Sequence, residues 1–241
     1  MLATEVQDQV DGFWCTFFGC SREQLRGPKS TVVGHPPARA ADRGVHVLQV
    51  TGAAPVVSLP EDLTRNHGNR IAAAFRNGLP THHHLHVLLE TRFDRFFGPA
   101  WLGYASVVAP GEVTPGLRIR ALHATDASKL NDLLEASPAS DRANVASLPS
   151  ANFQVGGFFG EHLVSVAGYQ EWDGRIAHIA VLTRSEYRGR GFGRAVVRAI
   201  GRAALNRGFI PQYRALMENA PSRAVALAEG FEAYGRMLVL R

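Results

Sequence analysis

The sequence is short of cysteine and has no long apolar run. Its 241 residues include two cysteines, Cys15 and Cys20. Two thiols are too few for a disulfide scaffold, and without further ligands nearby they outline no metal site. No segment reaches the roughly 18 apolar residues that span a bilayer, and the first residues lack a basic segment followed by an apolar one. We therefore expect a cytoplasmic protein with free thiols and no membrane contact.

The sequence also has fewer acidic than basic residues. Its formal net charge is +5, and basic residues concentrate between Arg184 and Arg207. Such a cluster suits either a nucleic acid or a small ligand that carries phosphate. Because no helix-turn-helix, zinc finger or aromatic RNA-binding motif accompanies it, we expect a phosphate-bearing small molecule rather than a nucleic acid.

The length allows two domains of ordinary size, and the 46% hydrophobic content allows each a core. Prolines and glycines in 99–115 predict a linker. We therefore predict an amino-terminal domain at 1–115 and a second domain at 116–241. The amino-terminal domain is expected to be a small α+β unit of unknown role, with strands at 44–51 and 55–59 and helices at 63–76 and 85–97.

Strand and helix patterns alternate in the second domain. The Asp173-Gly174 pair predicts a hairpin between two of its strands. Apolar residues at helical spacing predict a long helix before Gly208. The predicted elements are strands at 117–122, 160–169, 175–182, 213–217 and 237–240, and helices at 126–134, 193–207 and 222–229. This order predicts an α/β (α+β) fold with a mixed, mostly antiparallel sheet flanked by helices.

A glycine-rich loop opens the long helix. Gly189, Gly191 and Gly193 allow backbone N–H groups to approach an anion, and the helix start presents unpaired N–H groups. Arg188 and Arg190 add charged donors suited to a pyrophosphate. The loop lacks the Gly-Lys-Ser/Thr ending of a P-loop, and its glycines are too closely spaced for a dinucleotide fingerprint. We therefore predict a different site for a diphosphate-bearing ligand.

Two segments resemble the GNAT N-acetyltransferase superfamily. The run from Arg188 to Gly193 matches the family's Arg/Gln-x-x-Gly-x-Gly/Ala signature, which follows a strand. Asn219 to Val225, closed by Gly230-Phe231, resembles its Asn-x-x-Ser/Ala-x-x-Leu/Val segment that ends in Gly-Phe. The resemblance covers about half of the chain.

The resemblance implies a GNAT acyl-CoA acyltransferase fold in which strands 176–182 and 213–217 splay apart around the pantetheine arm of acetyl-CoA. It implies no metal. It also leaves open that the amino-terminal domain is a degenerate copy, since some GNAT proteins carry two such halves. By position, the residues implied to contact the cosubstrate are Val181, Thr183, Arg188, Gly189, Arg190, Gly191, Phe192, Gly193, Asn219 and Ser222.

The sequence departs from the family at Ala226, where many members carry a tyrosine that protonates the CoA thiolate. A methyl group cannot donate a proton. The alternatives are Tyr213, Tyr187, Tyr234, solvent, or weak or absent transfer activity.

The general base is open as well. His178 lies within the strand expected beside the acetyl group, and its ordinary pKa would suit deprotonation of an ammonium. The alternative is a satisfied, half-buried histidine. Glu161 and Glu218 are the other candidates. Glu161 lies at the start of a predicted strand, where a solvated side chain is expected, and Glu218 adjoins Asn219.

Two further patterns, a row of arginines and a cluster of histidines, are not expected to form ligand sites. Arg194, Arg198 and Arg202 recur at helical spacing and are expected to form a solvated ridge. The histidines from His82 to His86 lack an acidic or cysteine ligand at a recognisable spacing, so no metal site is expected there.

The sequence therefore predicts an N-acetyltransferase that moves an acetyl group from acetyl-CoA to a primary amine of a small molecule or protein. The alternative is a non-catalytic acyl-CoA-binding sensor or interaction protein. A third hypothesis, transfer to an aminoacyl-tRNA or a ribosomal protein, would use the basic surface. Homodimer formation is left open.

Overall fold

A computed structural model describes residues 2–75, 78–79, 93, 95–108, 110–111 and 114–241. The helices are α1 (Thr4–Phe18), α2 (Arg22–Arg26), α3 (Glu61–Ala74), α4 (Ala127–Glu135), α5 (Ala139–Asn144), α6 (Phe192–Asn206) and α7 (Ala220–Ala228). The strands are β1 (Thr31–Gly34), β2 (Val45–Val50), β3 (Val56–Leu59), β4 (Phe96–Tyr104), β5 (Leu117–Ala121), β6 (Phe153–Phe159), β7 (His162–Trp172), β8 (Ile176–Thr183), β9 (Ile210–Leu216) and β10 (Glu232–Leu240). Within these described residues, no helix combines the length and apolar character needed to cross a membrane.

Tertiary contacts group the chain into two compact units. The carboxy-terminal unit consists chiefly of Gly103–Arg214 and Asn219–Glu232. The amino-terminal unit consists of Ala3–Leu102, Ala215–Glu218 and Ala233–Arg241. Division of the sequence into domains 1–115 and 116–241 stays a prediction.

In the amino-terminal unit, β2 pairs antiparallel with β3 and β10, and β3 pairs parallel with β1. Valine-rich strands supply one side of the core, and α3 supplies Leu63 and Ile71, whose spacing of eight places them on one helix face. Trp14 and Phe18 of α1 are fully buried, as expected for core residues rather than a ligand site.

In the carboxy-terminal unit, β5, β6, β7 and β8 pair antiparallel in that order, and β8 pairs parallel with β9. Asp173 and Gly174 take positive φ angles of 52° and 62°, which confirms the predicted hairpin between β7 and β8. Leu130 and Leu133 of α4 pack in one apolar cluster on the sheet, and Phe192 and Ala195 of α6 pack in another. The predicted mixed, mostly antiparallel sheet flanked by helices is confirmed.

Two local predictions are wrong around residue 100. Residues 99–104 were expected in a linker and 96–97 in a helix, yet all of them belong to β4. Ala100, Leu102 and Tyr104 are fully buried. Burial of this apolar run outweighs the local preference of its proline and glycine residues for a turn. The rest of the helix predicted at 85–97 falls almost entirely outside the described residues.

His46 on β2 is a buried titratable group of the amino-terminal unit. Its Nε2 lies 2.9 Å from Asp42 Oδ2, while its Nδ1 is buried without a hydrogen-bond partner among the described residues. Burial, followed by the nearby Arg39 guanidinium, lowers the pKa of His46 from about 6.5 to about 4.

We expect the free energy of unfolding to fall as the pH is lowered from about 6.5 to about 4, because unfolded His46 takes up a proton in this range and folded His46 does not. His46→Gln should reduce this slope in urea denaturation at a series of pH values. His162→Gln, at an exposed position, is the control and should keep the wild-type slope. A wild-type slope in His46→Gln would contradict the assignment.

Candidate functional site

The central feature of the carboxy-terminal unit is the divergence of β8 from β9. The two strands pair at only four positions, from Ile176 with Ile210 to Ile179 with Tyr213. Both strands continue beyond the last pair, β8 to Thr183 and β9 to Leu216. The backbone edge of β8 beyond Ile179 is therefore left facing a gap between the strands. The family resemblance had implied that the strands at 176–182 and 213–217 separate.

A short polar contact holds the far end of β8. The Ser165 Oγ lies 2.8 Å from the Thr183 Oγ1 and 3.2 Å from the Leu182 carbonyl oxygen. A Cβ added to Gly193 would approach the Thr183 Oγ1 to 3.1 Å. Glycine at this position thus lets the first turn of α6 lie close to the end of β8.

The glycine loop has the geometry of an anion cradle. Gly189 and Gly191 have φ angles of 76° and 80°, a region that favours glycine. A Cβ added to either would point into open space, with no atom within 4 Å. Gly191 is the N-cap of α6, whose first N–H groups have no partner within the helix. The open space and these donors fit a phosphate group.

The arginines of the loop have different surroundings. Arg188 donates from Nη2 to Asp141 Oδ2 at 2.6 Å and from Nε to the Thr183 carbonyl oxygen at 3.1 Å. Arg190 is exposed, with its guanidinium 5.3 Å from the centre of the Tyr187 ring. The Nε of Arg184 is buried without a partner among the described residues. Arg188 is thus anchored to α5 and β8, while Arg190 extends into solvent.

The second family-like segment connects α7 to β9. Asn219 is the N-cap of α7, and its Oδ1 accepts a hydrogen bond from the Ser222 N–H at 3.0 Å. The Ser222 Oγ lies 3.0 Å from the Tyr213 hydroxyl. Burial raises the pKa of Tyr213 to about 12, so its hydroxyl keeps its proton at neutral pH. This contact lies at the last paired residue of β9, beside the divergence.

His178 is enclosed rather than solvated. It is 8% exposed, and its Nδ1 lies 2.7 Å from the Gln212 Oε1. The Trp172 ring stacks on it, with ring centres 4.2 Å apart and an interplanar angle of 19°. Burial, followed by the positive charge of Arg214, lowers the pKa of His178 to about 3. These surroundings favour the alternative of a satisfied core histidine.

Glu218 is exposed after β9, next to the cap of α7. A catalytic role for His178 or Glu218, and the cosubstrate contacts of the loop residues, stay predictions. Ala226, which replaces the family's tyrosine, is fully buried in α7.

The predicted solvated ridge on α6 is wrong for Arg198, whose side chain is 18% exposed, whereas the Arg194 side chain is 49% exposed. Arg194 and Arg198 donate to the carboxylate of Glu229 at 2.8 and 2.7 Å. Glu229 is 1% exposed, and a buried carboxylate is costly unless it is paired. The two guanidinium groups supply this pairing. Arg202 is exposed, as expected. The spacing of the arginines along one helix could not predict their contact with Glu229, because Glu229 lies 31 to 35 residues later in the sequence.

Metal binding receives no support from the described part of the chain, where no three His, Cys, Asp or Glu side chains are arranged to hold an ion. The histidines from His82 to His86 lie outside the described residues.

The part of the chain that contains the candidate site also matches a known protein family. Residues 121–231 match the family described as Acetyltransferase (GNAT) family. A search of curated proteins found no match. A crystal structure of a GNAT-family acetyltransferase from Novosphingobium aromaticivorans aligns at 25% identity and a TM-score of 0.51, over 62% of this chain and 65% of that one. The chain therefore spans less than two thirds of that protein's length.

Two further structures show the fold alone. A GNAT-family acetyltransferase from Colwellia psychrerythraea aligns at 12% identity and a TM-score of 0.51, over 76% of this chain and 74% of that one. A conserved protein of unknown function from Staphylococcus epidermidis aligns at 11% identity and a TM-score of 0.52, over 85% of this chain and 87% of that one. The match to the GNAT acetyltransferase family thus covers residues 121–231 of the chain, and these structural neighbours share its fold.

We expect Gly191→Asp to weaken acetyl-CoA binding by about tenfold or more, because a carboxylate would enter the open space where phosphate is expected. Calorimetric titration with CoA measures the change in Kd. Gly208→Asp is a matched control, since Gly208 also has a φ of 80° and an open Cβ position but lies at the other end of α6. Equal CoA affinity in the two variants would contradict a phosphate site at the loop.

We expect Glu229→Gln to lower the free energy of unfolding by about 2 kcal/mol, because it weakens the charged hydrogen bonds that the buried carboxylate accepts from Arg194 and Arg198. Denaturant unfolding measures the change. Glu161→Gln is the control, since Glu161 forms an exposed 3.6 Å pair with Arg118 and should cost about 1 kcal/mol or less. A similar loss in both variants would show that the buried pair adds nothing beyond a surface pair.

Proposed function

We propose that the protein is an N-acetyltransferase, which transfers the acetyl group of acetyl-CoA to a primary amine. The divergence of β8 from β9 beside a glycine loop that caps α6 is the observation that carries this proposal. Pantetheine is an extended chain with two amides, and the free edge of β8 beyond Ile179 offers backbone partners of the matching kind. Val181 and Thr183 lie on this edge.

The phosphate end of the cosubstrate fits the loop. Gly189 and Gly191 leave space for the pyrophosphate next to the first N–H groups of α6. We assign Arg190 as its main charged partner, because Arg188 already donates to Asp141. Asn219 and Ser222 would line the arm through the surface of α7 that adjoins Tyr213.

The reaction needs one bond made and one broken. The amine nitrogen attacks the thioester carbonyl carbon, the carbon–sulfur bond breaks, and CoA leaves as a thiolate. The amine loses a proton and the thiolate gains one. The protein's main contribution is to hold both substrates in register.

Tyr213 is our candidate for the proton donor. Its hydroxyl is protonated at neutral pH and lies at the divergence, held by Ser222. Tyr187 stacks on Phe192 in the loop, and Tyr234 donates to Asp11 in the amino-terminal unit. Unlike Tyr213, neither belongs to the last residue pair of β8 and β9, and Ala226 offers no proton.

Of the two predicted bases, His178 is the weaker, because an imidazole whose pKa is about 3 accepts a proton poorly at neutral pH. Glu218 is exposed and stays the alternative, together with transfer to solvent. The second candidate function, an acyl-CoA sensor without activity, is favoured by the same low pKa and by the methyl group of Ala226.

The amine acceptor, a cytoplasmic location and the role of the amino-terminal unit remain predictions. Release of CoA thiol from acetyl-CoA, measured with and without a panel of primary amines, tests the function. Amine-dependent release supports the enzyme. CoA binding with no release for any amine, including peptide amino groups and aminoacyl-tRNA, would favour the sensor.

We expect Tyr213→Phe to lower kcat by about tenfold or more, because the variant loses the hydroxyl that would protonate the leaving thiolate. Steady-state kinetics with the best amine measures the effect. Tyr169→Phe removes a comparably buried hydroxyl from β7 and should leave kcat near the wild-type value. A wild-type kcat in Tyr213→Phe would exclude this tyrosine as the donor.

A further inference from the structure

A buried chain of hydrogen bonds ends at His178 in the carboxy-terminal unit. The Gln212 Oε1 lies 2.7 Å from His178 Nδ1, and the Gln212 Nε2 lies 2.5 Å from the Tyr104 hydroxyl oxygen. Gln212 and Tyr104 are fully buried, and His178 is 8% exposed. Three elements, β4, β8 and β9, therefore meet in one polar contact inside an apolar core.

The two ends of the Gln212 amide differ in their hydrogen-bonding roles, which fixes the donor and the acceptor in each contact. The amide NH2 donates and the amide carbonyl oxygen only accepts. Because the Gln212 NH2 group is directed at Tyr104, its carbonyl oxygen faces His178, and Nδ1 must carry the hydrogen. A neutral imidazole has one N–H group, so Nε2 of His178 holds the lone pair.

Two neighbours keep the ring neutral and in place. The positive charge of Arg214 opposes a second positive charge on His178. Trp172 stacks on one face of the ring at a centre-to-centre distance of 4.2 Å, which limits its rotation. The imidazole is thus fixed in both protonation and orientation.

The position of this pair relates it to the candidate site. His178 pairs with Gln212 in the sheet, and the next pair, Ile179 with Tyr213, is the last before β8 and β9 diverge. The hydrogen-bonded chain therefore lies one residue pair from the closed, inner end of the gap between the strands.

We propose that Tyr104 and Gln212 are positioning residues, which hold His178 as the tautomer protonated on Nδ1 and leave Nε2 as a hydrogen-bond acceptor at the closed end of the gap. One consequence rests on the proposed function: Nε2 accepts a hydrogen bond from the N–H of the acceptor amine and orients it without taking its proton. His178 then acts as a neutral orienting group and not as the general base.

Nitrogen NMR of protein labelled with 15N-histidine tests the tautomer without any assay of transfer. The His178 signals are assigned by their loss in His178→Asn. We expect a protonated Nδ1 and an unprotonated Nε2 between pH 5 and pH 9. The opposite tautomer, or a doubly protonated ring at neutral pH, would overturn the inference.

Two variants test the positioning residues. Tyr104→Phe frees the Gln212 amide to turn, so we expect the Nδ1 signal to shift toward the unprotonated form and kcat/KM to fall by about threefold to tenfold. Gln212→Glu replaces the amide with a carboxylate, so we expect a doubly protonated His178 at neutral pH. If Gln212→Glu does not fold, Tyr104→Phe still decides the question.

Tyr169→Phe is the matched control for Tyr104→Phe and should keep the wild-type His178 spectrum and kcat/KM. An unchanged spectrum in Tyr104→Phe would overturn the positioning role, and an unchanged kcat/KM beside a shifted spectrum would overturn the contact with the amine. If no amine is acetylated, the proposed function fails, while the His178 spectra still decide the assignment of the tautomer.

Discussion

The candidate site depends on one constraint, the early end of the pairing between β8 and β9. Four residue pairs hold the strands together, and beyond Ile179 and Tyr213 they separate. The contacts around this point keep the gap open on both sides. Ser165 and the close approach of Gly193 fix the end of β8, and the Ser222 hydroxyl holds Tyr213 against α7. Strand separation of this kind exposes backbone groups that a ligand with amides can satisfy.

The arginines of the carboxy-terminal unit divide into those that pair with carboxylates and those that stay exposed. Arg194 and Arg198 neutralise the buried Glu229, and Arg188 is joined to Asp141. Arg190 remains exposed beside the glycine loop. The positive cluster between Arg184 and Arg207 therefore contains both paired and exposed arginines. Its net charge overstates the number of arginines that are available to bind a phosphate. A buried carboxylate is stable here only because two guanidinium groups reach it.

Much of the fold and the loop was predictable because the relevant physics is local. Positive φ at Gly189 and Gly191, free N–H groups at a helix start, and the turn at Asp173-Gly174 depend on a few consecutive residues. Most helices and strands of the carboxy-terminal unit were predicted within a few residues, because apolar periodicity reports which face is buried. The strand Phe153–Phe159 and the short helix Ala139–Asn144 were not predicted. The strand at 96–104 was missed, since its proline and glycine residues gave a local signal that burial overrode.

The sequence by itself determined the family resemblance, the sheet with its helices, and the position of the glycine loop at the start of α6. Only the tertiary structure decided the surroundings of His178. Its pKa is lowered by burial and by Arg214, and its Nδ1 contacts Gln212, 34 residues away, which in turn contacts Tyr104, 108 residues from Gln212. The same holds for Glu229, whose partners lie on another helix. Desolvation and hydrogen-bond partners are properties of a packed interior, and neither is encoded in the spacing of residues along one strand or helix.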